Sequence, residues 1–72
     1  MTDYDLNAPE DNWYVQYCGG EYVIQKDTTR ARTAPKWFVL RVNDARVSVR
    51  HYSRPSGAFM ALYGGAMHWS EQ

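Results

Sequence analysis

The chain has 72 residues, which is enough for one domain and leaves no room for a second. Hydrophobic residues make up 44% of it, charged residues 22% and aromatic residues 15%, a composition typical of a globular protein with a small core. Its single cysteine excludes an intramolecular disulfide. No stretch has the pattern of a signal peptide or the length of a membrane span. These features predict a cytoplasmic protein that makes no contact with a membrane.

The formal net charge is zero because opposite charges lie in different parts of the chain. Residues 1–25 contain five acidic residues and no Lys or Arg. Residues 26–54 contain all eight basic residues and two acidic ones, and residues 55–72 add one further acid. The chain is therefore electrically polarised along its length, and this bears on the choice of partner rather than on the fold.

Residues 1–12 have no periodic apolar pattern and are predicted to form a flexible acidic arm, followed by one small domain over residues 13–72. The arm is interpreted either as a solvated terminus or as a secondary acidic contact. In the second case its acids would lie across basic residues of the same chain or on a basic partner. The acidic side chains concerned are Asp3, Asp5, Glu10 and Asp11.

A first β-hairpin is predicted where residues 13–18 and 21–26 flank Gly19-Gly20. Two glycines both accept the positive φ angles of a type I′ turn. In that register Val15 faces Ile24. One face of the hairpin is more apolar than the other and is the predicted core face: Trp13, Val15, Tyr17, Tyr22 and Ile24.

A second hairpin is predicted over residues 36–52, after an irregular loop over residues 27–35. Asn43-Asp44 suits a tight turn, and a two-residue turn places Leu40 opposite Val47 and Arg41 opposite Arg46. The apolar side chains then share one face and are predicted to form the core: Phe38, Leu40, Val42, Val47 and Val49.

The C-terminal quarter contains the helical signals. Ser53 or Ser56 can cap a helix, and Pro55 is acceptable in a first turn. A short helix is predicted over residues 58–63, ending at two glycines. Residues 66–69 are either an irregular tail or a short strand that packs Trp69. The predicted fold class is α+β, with a four-stranded antiparallel sheet from two hairpins and one short C-terminal helix packed on one face.

Catalysis and metal binding have little support in the sequence. Cys18 is the nucleophile candidate, but nothing places His51 or His68 beside it. The close-spaced ligand pairs of metal sites and the common phosphate-binding and metalloprotease motifs are absent. We therefore expect a non-enzymatic protein without a cofactor or a metal.

The other face of the second hairpin is predicted to be exposed, basic and aromatic. Arginine forks pair with carboxylates or phosphates and stack on aromatic rings, so this face is the predicted partner-binding surface. The alternative interpretation is that Arg50 covers Trp37 in a cation–π contact while the rest is solvated surface. The predicted binding residues are Trp37, Arg41, Arg46, Arg50 and Tyr52, extended from the loops by Arg30, Arg32 and Arg54.

Two functions could use this surface. The first is contact with a larger protein, as a small inhibitor or adaptor of a machine that processes nucleic acid, and the size is typical of phage-encoded inhibitors. The alternative is a nucleic-acid-binding module, in which arginines take phosphates and an aromatic ring stacks on a base. The neutral net charge favours the first. The chain is predicted to be a monomer or a homodimer paired through sheet edges.

Overall fold

A computed structural model describes residues 12–70 of the protein. Four strands follow one another in a single antiparallel sheet in the order β1-β2-β3-β4, and one helix follows them. The fold class is therefore α+β, as predicted. The elements are β1 (Asn12–Tyr17), β2 (Gly20–Lys26), β3 (Trp37–Arg41), β4 (Arg46–Val47) and α1 (Pro55–Tyr63).

The core lies between α1 and one face of the sheet, here called the covered face, which presents Val15, Ile24, Trp37 and Val39 to the helix. Ala58 and Leu62 are the buried residues of α1. Six further apolar or aromatic side chains pack around this cluster: Tyr17, Tyr22, Tyr52, Phe59, Met67 and Trp69. A two-turn helix is unstable alone, so this contact is what stabilises it.

The first hairpin turns the predicted face to the core, although Trp13 on that face is 40% exposed, but it does not have the predicted register. Its turn is Cys18-Gly19, with φ angles of 51° and 78°, and Gly20 is already the first residue of β2. Val15 consequently pairs with Tyr22 rather than with Ile24. The Tyr22 ring lies where a side chain on residue 20 would stand, which explains why a glycine belongs in the strand. A shift of two residues leaves the faces unchanged because side chains alternate with period two.

The second hairpin has the predicted register but the opposite core face. Leu40 pairs with Val47 and Arg41 with Arg46, as predicted. However, Val39 is fully buried in the core, and Trp37 is only 8% exposed. The prediction that Phe38, Leu40, Val42, Val47 and Val49 form the core is therefore wrong. The reason lies in the pairing of β2 with β3, which sets Ile24 opposite Val39 and so places both on the covered face.

A bulge separates β4 from the residues that pair with the start of β3. Trp37 forms an isolated bridge with Tyr52, whereas a continuous ladder would have set it opposite Arg50. The hydroxyl of Ser48, a buried side chain, accepts a hydrogen bond from the Val39 amide at 2.9 Å and donates one to the Arg50 carbonyl at 2.9 Å. Ser48 thus satisfies backbone groups that the bulge would leave without partners.

The helix begins three residues before the predicted start. Arg54 is the N-cap residue without a side-chain capping bond, so neither candidate serine caps the helix, and Pro55 occupies the first turn. At the other end, Gly65 has a φ of +73°, and the Gly65 and Ala66 amides donate to the Leu62 and Ala61 carbonyls. This hydrogen-bond pattern is a Schellman motif, which terminates the helix.

The segment after the helix returns to the sheet as the predicted short strand would. Trp69 bridges Ser48, and the Val49 and Ser70 amides donate to the His68 and Val47 carbonyls. Residues 68–70 therefore occupy the outer edge of β4. Within residues 12–70, no helix has the length and apolarity needed to cross a membrane.

Candidate functional site

The second face of the sheet, here called the open face, carries Tyr14, Val23, Phe38, Leu40 and Val47 on the side opposite α1. Val23, in the middle of this face, is only 7% exposed. Pairing of the four strands sets four of these side chains in one row across the sheet. Exposure of one face is common in antiparallel sheets, but an exposed face is usually polar. Here most of the row is apolar.

Two exposed valines continue the open face beyond the strands. Val42 follows β3, and its amide donates to the Glu21 carbonyl at 2.9 Å, so the chain is still in line with the sheet there. Val49 is 61% exposed and follows the buried Ser48. Tyr14 is 56% exposed at the other end of the row. Sequence reasoning missed these residues as a surface because it assigned the valines to the core.

The predicted basic and aromatic face is instead part of the covered face, and its residues divide into two groups. Trp37 belongs to the core and is buried by α1, so the prediction that it is exposed to a partner is wrong. Tyr52 is half-buried beside it, with the Trp37 and Tyr52 backbones exchanging hydrogen bonds of 2.9 and 2.6 Å. These two aromatic residues stabilise the fold.

Arg41 and Arg46 lie at the turn between β3 and β4, where Asp44 pairs with both. Arg41 makes a two-pronged contact with the Asp44 carboxylate, at 3.0 Å from Nε and 2.6 Å from its terminal nitrogen. The Nε of Arg46 is 3.7 Å from the same carboxylate and has no hydrogen-bond partner. The hydrogen bond from Arg41 lowers the pKa of Asp44, and the same bond raises the pKa of Arg41.

The Arg41 guanidinium also lies 4.8 Å from the ring centre of Trp69, which stacks on Tyr22 at 5.7 Å. The predicted alternative, Arg50 over Trp37, is not the contact that the structure shows, because Arg50 lies over Tyr52 and it is Arg41 that lies over Trp69. A guanidinium that is paired with a carboxylate and stacked on a ring is already engaged. This group, here called the turn cluster, comprises Arg41, Asp44, Arg46, Tyr22 and Trp69.

The other arginines gather at the opposite end of the hairpin. Arg50 and Arg54 line an open pocket of about 350 Å³ together with His51, and no acidic residue lines it. The guanidinium of Arg50 lies 5.5 Å from the centre of the Tyr52 ring. Neither arginine forms an ion pair with a residue in the described range 12–70. The remaining lining residues are Pro35, Tyr52, Ser53, Ser56 and Gly57.

One wall of this pocket is connected to the preceding loop through His51. The Arg30 guanidinium lies 3.1 Å from His51 Nδ1, and His51 Nε2 lies 3.4 Å from an Asp27 carboxylate oxygen. The other Asp27 oxygen accepts bonds from the Thr29 hydroxyl and amide, and this pairing lowers the pKa of Asp27. Because a guanidinium can only donate, His51 Nδ1 accepts and its Nε2 carries the proton.

The remaining candidates stay apart. Arg32 is exposed in the loop, and Cys18 is exposed in the first turn. In the part of the chain that the structure describes, no three His, Cys, Asp or Glu side chains gather as a metal site would require. The predicted secondary acidic contact, Asp3, Asp5, Glu10 and Asp11, lies outside the described residues. Comparison with protein-family models, with curated proteins and with solved structures found no match.

Proposed function

We propose that the protein is a non-enzymatic binding protein that docks on another protein through the open face of its sheet. The observation that supports this is the apolar row on the sheet face opposite α1, which the exposed Val42 continues beyond β3. Apolar surface gains roughly 25 cal/mol for each Å² removed from water, so covering such a face is favourable. Contiguous apolar patches on small proteins commonly mark interaction sites.

The chemistry of the face indicates the kind of partner. Gln16, Glu21 and Gln25 alternate with apolar neighbours along β1 and β2 and supply a polar rim. The partner surface we propose is therefore apolar at its centre and polar around it, on a folded protein rather than on an extended anionic polymer.

The alternative of nucleic-acid binding through the sheet has lost much of its surface. Trp37 is buried, and Asp44 pairs with Arg41 and Arg46. In that alternative, Trp37 supplies the stacking ring, and Arg41 and Arg46 supply phosphate contacts. The contact surface we propose is therefore the opposite face of the same sheet, where the side chains of the row are mostly apolar.

The test replaces apolar side chains on the open face and compares them with an exposed apolar residue on the helix. Val42→Lys and Val49→Lys, singly and together, add charge to the open face at exposed positions. Met60→Lys is the matched control, because Met60 is 74% exposed on α1. Partners are isolated from cells of the native source with the tagged full chain, and the complex is then reconstituted from purified proteins.

We expect the reconstituted complex to lose at least about tenfold in affinity with the double valine variant and to be unchanged with Met60→Lys. Equal weakening by both would show that the partner does not use the open face. Sedimentation of the purified chain tests whether a second copy of the same chain, rather than a different protein, covers the open face. A stable homodimer that only the valine variants dissociate would show that a second copy covers the face, and would overturn a separate partner.

A further inference from the structure

The pocket beside the helix start has a charge pattern that the proposed docking does not use. Residues 12–70 contain eight basic and three acidic residues, a net charge of +5. Asp44 is engaged by the turn cluster, and Asp27 is engaged by Thr29 and His51. Neither of these two carboxylates pairs with Arg50 or Arg54, the two arginines of the pocket.

We infer that this pocket binds a phosphate group through the guanidinium groups of Arg50 and Arg54. Both residues line the same open pocket, and neither has an ion-pair partner among the described residues. Two guanidinium groups match the charge of a phosphate dianion, and their forked N–H donors match its oxygen atoms. The volume of about 350 Å³ is within the range of small-ligand sites and exceeds what a single ion needs.

The rest of the pocket wall agrees with an anionic ligand. Ser53 and Ser56 add hydroxyl groups that can donate to phosphate oxygens. The wall includes the first turn of α1, which contains no acidic side chain, so the positive end of the helix acts in the same direction as the arginines. Arg54 makes no capping bond with its side chain, and its guanidinium is therefore not committed to the helix.

The loop beyond His51 contributes one cation and one anion, Arg30 and Asp27, and so adds no net charge. His51 keeps Asp27 at the far side of its ring, with the carboxylate 3.4 Å from Nε2 and Arg30 at 3.1 Å from Nδ1. Asp27 in turn accepts two bonds from Thr29. The Asp27 carboxylate is thus held by Thr29 and His51, and Asp27 is not one of the residues that line the pocket.

The experiment follows backbone amide signals of the full chain by NMR while probes are added at low salt and near-neutral pH. The probes are inorganic phosphate, adenosine monophosphate, a short oligothymidylate and, as a control anion, acetate. We expect phosphate to shift the amides of residues 50–57 with saturation, and acetate at the same concentrations to leave them unchanged. Arg54→Gln should weaken phosphate binding about tenfold, the effect of losing a charge-assisted hydrogen bond.

Arg46→Gln is the matched control because it removes the same charge from the turn cluster, at the other end of the hairpin. It should leave phosphate binding unchanged. Equal loss with Arg46→Gln, equal shifts with acetate, or no saturable shift at residues 50–57 would each overturn the site. Tighter binding of the nucleotide than of phosphate identifies a nucleotide ligand, and tighter binding of the oligothymidylate with a steep dependence on salt identifies nucleic acid as the source of the phosphate.

Discussion

The two ends of the β3–β4 hairpin carry the same residue type in opposite situations. At the turn end, Arg41 and Arg46 share the Asp44 carboxylate, and Arg41 stacks on Trp69. At the other end, Arg50 and Arg54 line a pocket without a carboxylate. Neighbouring groups, rather than the arginine itself, therefore decide whether a guanidinium stabilises the fold or is available to a ligand.

The comparison also shows how a sheet face that contains arginines can form part of the core. Arg41 and Arg46 lie at one end of the covered face, which also holds the core residues Trp37 and Val39. Long arginine side chains can cover an apolar margin with their stems and leave the charged group at the surface. Alternation of apolar and basic residues is therefore compatible with a core face as well as with a binding face.

The largest effect is expected for Trp37, the buried first residue of β3 at the pocket end of the hairpin. Trp37→Ala should lower the free energy of unfolding by about 3–5 kcal/mol, because truncation of a buried tryptophan leaves a cavity. A domain of 72 residues has roughly 4–11 kcal/mol in total, so much of the variant could be unfolded. Trp37→Phe, with an expected loss of about 1–3 kcal/mol, keeps the measurement within range of urea unfolding.

Trp13→Ala is the control for this prediction. Trp13 is 40% exposed and contacts Phe59 edge-on at 6.2 Å, so its truncation should cost less than either change at Trp37. If Trp13→Ala were the more damaging change, Trp37 would not be the buried residue that joins helix and sheet.

A second prediction concerns Ser48, whose bonds hold the bulge between the two ends. Ser48→Ala leaves the Val39 amide and the Arg50 carbonyl without the hydroxyl they share, and should cost about 1–3 kcal/mol in urea unfolding. Ser53→Ala, at an exposed position, should stay within about 0.5 kcal/mol of the parent. A Ser48 variant as stable as the parent would mean that other groups or water satisfy the bulge.

The fold could be read from the sequence to a considerable extent because its signals are local. Alternation of side chains, glycines at the first turn and Asn43-Asp44 at the second predict two hairpins, and Gly64-Gly65 predicts the helix end. The first register was wrong by two residues because two neighbouring glycines permit more than one turn, and the turn that forms is Cys18-Gly19.

The site was less predictable because it depends on a non-local pairing. The loop between Lys26 and Trp37 is too long to set the register of β2 with β3, and that register decides which face of the second hairpin meets α1. The alternation of residues therefore grouped the side chains of the two faces correctly, but the prediction assigned the core to the wrong face. The division of the arginines was also hidden, because it depends on the bulge at Ser48 and on the return of Trp69 to the sheet edge.

A smaller effect is expected when arginine is replaced by lysine at each end. Arg41→Lys keeps the charge but loses the two-pronged bond to Asp44 and the flat contact with Trp69, so the melting temperature should fall measurably. Arg54→Lys should leave the melting temperature unchanged, since Arg54 makes neither kind of contact. Differential scanning calorimetry of the two variants tests this, and an equal fall in both would remove the distinction between the two ends.

The smallest effect is expected when the melting temperature is measured against pH. It distinguishes Asp44, at the turn end of the hairpin, from Asp27, which contacts His51 at the pocket end. Asp44 and Asp27 both have a lowered pKa, the first through its bond from Arg41 and the second through its bond from Thr29. A lowered pKa means that the stabilisation is complete above the ordinary value of 3.8 and is lost as the pH falls through the lower folded value. Thermal unfolding should therefore shift downwards only below about pH 4.

Asp44→Asn and Asp27→Asn should each reduce that acid-induced shift, because an amide cannot be titrated in this range. Only Asp44→Asn should weaken the turn cluster at neutral pH, since it leaves Arg41 and Arg46 without their shared counter-charge. Asp27→Asn leaves that cluster intact and acts on the His51 contact at the pocket end. Melting curves from neutral pH to below pH 4 would contradict the assignment if Asp44→Asn kept the full acid shift of the parent, because the charge pairing of Asp44 would then contribute nothing to stability.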